Sequence, residues 1–195
     1  MKTFINTFIL VCFLGFAHVV KAQQSDSPIY DRSEDLITNT DTIPDYRSKE
    51  NKLKLTGTVY LSDGVTPAKG VILFIEQPDE NGDFDLRRSG DQRYVFHRSW
   101  VKTDEDGKYT FYTFVPGNDR RYNQMQQIFP IIKEPSKSEV QLESLLFNDD
   151  PLLTERCRKR LAKKGGKERI LNTRTVDGML VAQKDIVLPN TEDAQ

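Results

Sequence analysis

The sequence predicts a mostly β fold: a β-sandwich of about seven or eight strands with one short helix. From residue 52 onward, short apolar segments alternate with turn signals at intervals of roughly 8–12 residues. The segment WVKTDEDGKYTFYTFVPG, at residues 100–117, consists almost entirely of strand and turn signals. Only one stretch, near residue 160, has the cap and length of a helix. Many short strands with few helices are typical of sandwiches.

The amino terminus has the pattern of a secretory signal peptide. Lys2 precedes an apolar run that ends near Val20, and the small residue Ala22 precedes a polar start at Gln23. The apolar run is shorter than the roughly 20 residues of a membrane span, and no comparable run follows. We therefore expect residues 1–22 to be removed and the mature chain to be exported without a transmembrane span. The alternative is that this segment is retained as a membrane anchor.

Charge and cysteine content restrict the function classes. The chain has 28 Lys and Arg against 29 Asp and Glu, so it has no overall attraction to nucleic acid, and we expect no such partner. Cys12 lies within the expected signal peptide, which leaves Cys157 without an internal disulfide partner. Stability must then come from the hydrophobic core.

Three further segments follow the signal peptide. Residues 23–51 are rich in Ser, Asp and Thr and show no sustained period, which predicts a flexible arm or linker. Residues 52–189 form the predicted sandwich, and residues 190–195 form a tail. Its predicted strands cover residues 52–61, 71–75, 94–103, 108–115, 128–132 and 140–147, with two more on either side of residues 177–178.

Turn and cap residues position these elements. Residues 104–107, DEDG, predict a tight turn and therefore a β-hairpin between the two strands around it. Asp177-Gly178 predicts a second hairpin. Thr154 is a candidate N-cap for a helix that continues to about Lys164, where two glycines end it.

In this order, the segments GTVYLSDGVTPAKGVILFI, DENGDF, HRSWVKTDEDGKYTFYTFVPG, IKEP, FNDDPLLTERCRKR and DGMLVAQKDIVL resemble the intradiol ring-cleavage dioxygenases. The sequence is similar to the small exported bacterial branch of the catechol and protocatechuate dioxygenases, from about Leu53 to Leu188. The resemblance implies a β-sandwich in which two tyrosines and two histidines hold a ferric iron. It also implies a location in the periplasm or at the cell surface of a bacterium.

The resemblance places the four ligand positions on Phe84, Tyr122, Gln127 and Phe129. Phenylalanine has no donor atom and glutamine is a weak neutral donor, whereas ferric iron prefers anionic oxygen and imidazole nitrogen. We therefore expect no metal ligand, no catalytic residue and no cofactor. The expected function is that of a non-catalytic binding or structural relative, whose pocket holds a small aromatic or sugar ligand by stacking.

The alternative is an iron-dependent oxidoreductase, an intradiol aromatic-ring-cleaving dioxygenase with a rearranged Fe(3+) site. Its candidates are Tyr122, His97 and Arg98, with Asp119 and Tyr94 as further donors. Against this, we expect His97 to be a surface or sheet-edge residue, because a metal site needs at least three converging ligands. We expect Arg98 to serve packing or a buried ion pair.

Two other patterns have simpler interpretations. The alternating oxygens of residues 79–85 suggest calcium, but they lack the glycine and the closing glutamate of an EF-hand loop, so a solvated turn is favoured. The basic cluster at residues 156–167 is expected to be a solvated helix face, with an anionic partner as the alternative.

Overall fold

The structure is a computed structural model that describes residues 27–189, and it contains two packed six-stranded sheets. The first sheet has the order β1-β7-β2-β13-β12, with β14 also paired to β2. The second has the order β11-β10-β8-β3-β6, with β9 paired to β8. β4 and β5 form a separate two-stranded hairpin. The predicted β-sandwich is confirmed.

The strands are β1 (Thr40–Thr42), β2 (Lys52–Tyr60), β3 (Ile72–Glu76), β4 (Leu86–Ser89), β5 (Gln92–Val95), β6 (Arg98–Lys102), β7 (Lys108–Phe114), β8 (Gln127–Lys133), β9 (Glu139–Gln141), β10 (Leu145–Phe147), β11 (Ile170–Leu171), β12 (Thr173–Val176), β13 (Met179–Gln183) and β14 (Ile186–Val187). The described residues contain one α-helix, α1 (Glu155–Lys163). Several strands have only two or three residues, which explains why there are more of them than the sequence predicts.

The main core lies between the two sheets. Burial along β2 alternates strictly, with Leu53, Leu55 and Val59 inside. These residues meet Leu73 and Ile75 of β3, which lie on the opposite sheet. Alternation along an amphipathic strand therefore explains how this chain encloses its core.

One predicted hairpin is wrong and the other is confirmed. The turn at residues 104–107 forms, but β6 pairs with β3 and β7 pairs with β2, so the chain crosses from one sheet to the other there. Both strands bury side chains in the common core, which is why their aromatic pattern resembled that of a hairpin. The hairpin of β12 and β13 forms as expected around Asp177 and Gly178, both with positive φ.

Helix α1 also follows its local signals. The Thr154 side chain accepts a hydrogen bond from the backbone N–H of Cys157, and Gly165 follows the helix in the left-handed conformation. No helix among residues 27–189 is long and apolar enough to cross a membrane. The expected signal peptide and the tail at residues 190–195 lie outside the described residues.

Residues 27–51 differ from the expected flexible arm. They contain three 3-10 turns, Pro28–Tyr30, Glu34–Leu36 and Tyr46–Ser48, and the strand β1, which pairs in parallel with β7. A second apolar cluster lies on the outer face of β3, β6 and β8, where this segment covers the sheet. Its members are Ile29, Ile37, Ile72, Phe74, Trp100 and Ile131. A few isoleucines among many polar residues are enough to attach the segment, and composition alone does not show this.

Candidate functional site

Two of the four family ligand positions lie together. Phe84, in the loop after β3, packs against Phe129 of β8, with ring centroids 5.8 Å apart. Phe129 and Ile131 lie on the outer face of the sheet, because their neighbours Ile128 and Ile132 belong to the core between the sheets. Where the resemblance implies a phenolate and an imidazole, the structure has an apolar contact between two rings.

Gln127 lies two residues before Phe129 on the same strand. Its Oε1 accepts a hydrogen bond of 3.0 Å from the Oγ of Ser144. That Oγ also accepts a hydrogen bond of 2.7 Å from Nη2 of Arg169. The only donor atom of Gln127 with any metal affinity is therefore already part of a hydrogen-bond chain between β8 and the segment before β10.

Tyr122 faces solvent. Asp119 and Gln124 exchange two backbone hydrogen bonds of 2.9 and 2.8 Å, and Tyr122 lies in the turn between them. Tyr122 is 79% exposed, more than any other large apolar residue that the structure describes. Asp119 is buried, and hydrogen bonds from Arg121 hold the pKa of its carboxyl below the usual range. The last oxygen donor of the family set therefore lies on an exposed turn, and no contact joins it to Phe84 or Phe129 among the described residues.

His97 is buried, so the prediction of a surface or sheet-edge residue is wrong. It is 3% exposed, and its ring contacts Phe96 and Phe114 with centroids 5.3 and 5.1 Å away. Neither ring nitrogen has a hydrogen-bond partner. Burial, with a smaller contribution from Lys49, lowers its pKa. A buried His97 and an exposed Tyr122 do not converge on one point.

Arg98 has the packing role that the sequence suggests. Its guanidinium forms an ion pair with Asp31, from the segment that covers the sheet. It also lies over two aromatic rings, with its Cζ 4.1 Å from the centroid of Tyr94 and 5.0 Å from that of Trp100. Arg98 thus connects the amino-terminal segment, the β4–β5 hairpin and the sheet.

These side chains do not fit a ferric iron. Phe84 and Phe129 provide no donor, Gln127 provides an engaged amide, and Tyr122 faces solvent. Within residues 27–189, no three or more His, Cys, Asp or Glu side chains are grouped as a metal site.

Glu76 is the residue that sequence reasoning missed. It ends β3, where it lies directly opposite Phe129 on one side and Arg98 on the other. Residues directly opposite in neighbouring strands share a face, so Glu76 stands between the two. It also lines a cavity of about 160 Å³. The other lining residues are Pro28, Asp31, Leu86, Gln92, Arg93, Tyr94, Val95 and Arg98. The signal in the sequence was a single acidic residue that directly follows five apolar residues.

The two remaining patterns have local roles. The Asp79 carboxylate accepts hydrogen bonds from the backbone N–H groups of Asn81 and Asp83, as in a turn. Helix α1 has no buried residue and exposes Arg156, Lys159, Arg160 and Lys163, whereas Arg158 is half-buried and donates hydrogen bonds to Asn148. Lys159 pairs with Glu155 across one turn, with 3.4 Å between the nitrogen and the oxygen.

Comparison with known proteins supports the fold. No protein-family profile matches the sequence, and a search of curated proteins finds no significant match. Among solved structures, the chain is similar to the dioxygenase domain of a dioxygenase and carbohydrate-binding protein fusion from Streptomyces sp. SirexAA-E. The TM-score is 0.57 at 20% identity, over 78% of this chain and 87% of that one.

Two further solved structures have a similar fold. An intradiol ring-cleavage dioxygenase from Tetranychus urticae gives a TM-score of 0.58 at 19% identity, over 77% of this chain and 85% of that one. Catechol 1,2-dioxygenase from Pseudomonas arvilla C-1 gives a TM-score of 0.58 at 16% identity, over 78% of this chain and 56% of that one. Similarity at this level of identity establishes a common fold, and function must be argued from the site.

Proposed function

We propose that this chain, which has the fold of the intradiol ring-cleavage dioxygenases, is an exported, non-catalytic relative that binds a small ring-bearing ligand. The observation that carries the proposal is the contact between the rings of Phe84 and Phe129 at two family ligand positions. Because neither ring can bind a cation through a lone pair, the position favours apolar and aromatic contacts instead.

The neighbouring cavity has a suitable size and lining. Its volume of about 160 Å³ is close to that of an apolar protein cavity of about 150 Å³ that holds benzene. Leu86, Val95 and the ring of Tyr94 form the apolar wall of this cavity, and its lining also includes the charged groups of Asp31, Glu76, Arg93 and Arg98. A site that combines apolar surface with fixed polar groups can bind and orient a small molecule.

Metal chemistry is tested first. Protein purified without chelator is analysed for iron, then titrated with ferric iron and supplied with catechol. We expect substoichiometric iron, no tyrosinate-to-iron absorption band and no ring cleavage. Stoichiometric iron with ring-cleaving activity would contradict the proposal and support an iron-dependent oxidoreductase with a rearranged site.

Ring binding is tested with neutral probes. Ligand-observed NMR with benzyl alcohol and with methyl glucoside separates an aromatic from a sugar ligand. We expect binding of at least one of the two rings, weakened about tenfold by Tyr94→Ala, because truncation removes the aromatic contact surface of the cavity. Val140→Ala, at an exposed position of β9, is the matched control and should leave binding unchanged. Absence of binding by both probes would refute the proposal.

A further inference from the structure

Glu76 is an acidic side chain without a close partner among residues 27–189, and Arg98 acts on it only at longer range. Its carboxylate forms no hydrogen bond and no ion pair with that part of the chain. Burial raises its pKa, and the nearby Arg98 opposes this increase. Glu76 is only partly exposed, so a ligand that donates to its carboxylate would replace a hydrogen bond from water in a partly buried position.

The cations nearest to Glu76 are otherwise engaged or exposed. Arg98 is paired with Asp31 and stacked on Tyr94, as described above. Asp31 also accepts a hydrogen bond of 3.3 Å from Nε2 of Gln92, so Gln92 belongs to the same polar group. Arg93 lines the same cavity but is exposed. The cavity lining thus has two carboxylates and two guanidinium groups, and Glu76 is the carboxylate that has no ion pair with either cation.

We propose that the ligand is a small aromatic amine, whose protonated amine binds the carboxylate of Glu76 and whose ring lies on the apolar wall of the cavity. This inference rests on the proposed function and names its ligand class. The cavity accommodates about one six-membered ring. Leu86, Val95 and Tyr94 provide the surface for that ring. A charge-assisted hydrogen bond from the ammonium would give Glu76 the donor that the chain does not provide.

The test compares two probes of nearly equal shape. Benzylamine is cationic at neutral pH and benzyl alcohol is neutral, so a difference in their affinities reports the charge alone. We expect benzylamine to bind about tenfold more tightly, because hydrogen bonds to charged groups contribute more than neutral ones. In Glu76→Gln, the affinity for benzylamine should fall to that for benzyl alcohol, while the affinity for benzyl alcohol stays unchanged. Glu105→Gln, at an exposed acid paired with Lys69, is the matched control.

A pH series provides a second readout. Glu76 must be ionised to hold the amine, so benzylamine binding should weaken as pH falls through the raised pKa of this carboxyl. The other charged and titratable groups at the cavity are Asp31, Arg93, Tyr94 and Arg98. Glu76→Gln should abolish the pH dependence, which assigns it to Glu76 rather than to Asp31.

The outcomes separate this inference from the proposed function. Equal affinity for the two probes, or an unchanged affinity of Glu76→Gln for benzylamine, would overturn the amine inference and leave ring binding intact. If no ring-bearing probe binds, both are overturned. If benzylamine binds more tightly and loses this advantage in Glu76→Gln alone, both are supported.

Discussion

The imidazole of His97 stands edge-on to the ring of Phe114, with centroids 5.1 Å apart and an interplanar angle of 83°. Both of its nitrogens are buried without a hydrogen-bond partner. An orphaned polar atom costs about 1–3 kcal/mol. The imidazole of His97 is therefore packed as an apolar ring would be, although it has two polar atoms.

Replacing this ring should stabilise the protein. We expect His97→Phe to raise the free energy of unfolding at pH 7 by about 1 kcal/mol, because it keeps both ring contacts and removes two unpaired polar atoms. Denaturant unfolding at pH 7 measures this change. Lower stability of the variant would mean that the imidazole has a partner in solution.

The same residue should make the wild type sensitive to acid. Burial lowers the pKa of His97 from its ordinary value of 6.5, so the unfolded chain binds the proton more readily than the folded one. Stability from the neutral ring is full above about pH 6.5 and is lost as pH falls toward the lowered pKa. We expect His97→Phe to remove this part of the pH dependence, as measured by unfolding between pH 7.5 and 5. If the free energy of unfolding changed equally with pH in the wild type and in His97→Phe, the prediction would be contradicted.

Gly57 lies under the chain where β13 ends and β14 begins. A Cβ built on Gly57 would lie 1.9 Å from the carbonyl oxygen of Lys184, which accepts a hydrogen bond of 2.6 Å from Tyr109 Oη. We expect Gly57→Ala to destabilise the protein by more than about 3 kcal/mol, because backbone must move and a buried hydroxyl loses its acceptor. Thermal unfolding measures the change.

Gly178 is the matched control for this substitution. It has a positive φ of 77°, and a Cβ there would meet nothing within 4 Å. Gly178→Ala should therefore cost only about 1 kcal/mol, the usual penalty for the left-handed conformation. If the two variants were equally stable, close packing over Gly57 would not be the reason for a glycine there.

Local signals predicted much of this fold correctly. The cap at Thr154, the turn at Asp177-Gly178 and the alternation in β2 each depend on neighbours within a few residues, and each forms as expected. The crossing of the chain from β6 to β7 was missed, because a turn signal does not say with which strand each arm pairs. Pairing depends on contacts between residues far apart in sequence.

The site was predictable only in part. The positions of Phe84 and Phe129 were placed by resemblance, and the structure brings the two together. The burial of His97, the outward direction of Tyr122 and the position of Glu76 depend on loop closure and strand register. A shift of one residue in register exchanges the two faces of a strand, so sequence alone does not fix which side chains meet.

The amino-terminal segment provides a fluorescence test of its own packing. Trp100, the single tryptophan of the chain, is 8% exposed, and its Nε1 donates a hydrogen bond of 3.2 Å to the carbonyl oxygen of Pro28. Ile29, in the adjacent turn, is 2% exposed. We expect Ile29→Ala to loosen the segment by about 2–4 kcal/mol and to shift Trp100 emission to the red. Leu36→Ala, 65% exposed, should cause neither change, and an unchanged emission in Ile29→Ala would contradict the packing.

Donor atoms introduced at the positions that match the family ligands should increase affinity for iron. Phe84 and Phe129 already contact each other, so a phenolate and an imidazole placed there would face a common point. We expect the triple variant Phe84→Tyr, Gln127→His and Phe129→His to bind ferric iron at least about tenfold more tightly than the wild type, with a new tyrosinate-to-iron absorption band.

The single variant Gln127→His is the control for this experiment. It adds one imidazole beside two phenyl rings and removes the hydrogen bond with Ser144, so it should gain no absorption band. Because Tyr122 remains on its exposed turn, the triple variant has three of the four family donors, and we expect it to bind iron without recovering ring cleavage. If the triple variant bound iron no better than the wild type, the three positions would not converge. The side chains at these positions would then not be what determines the affinity for iron.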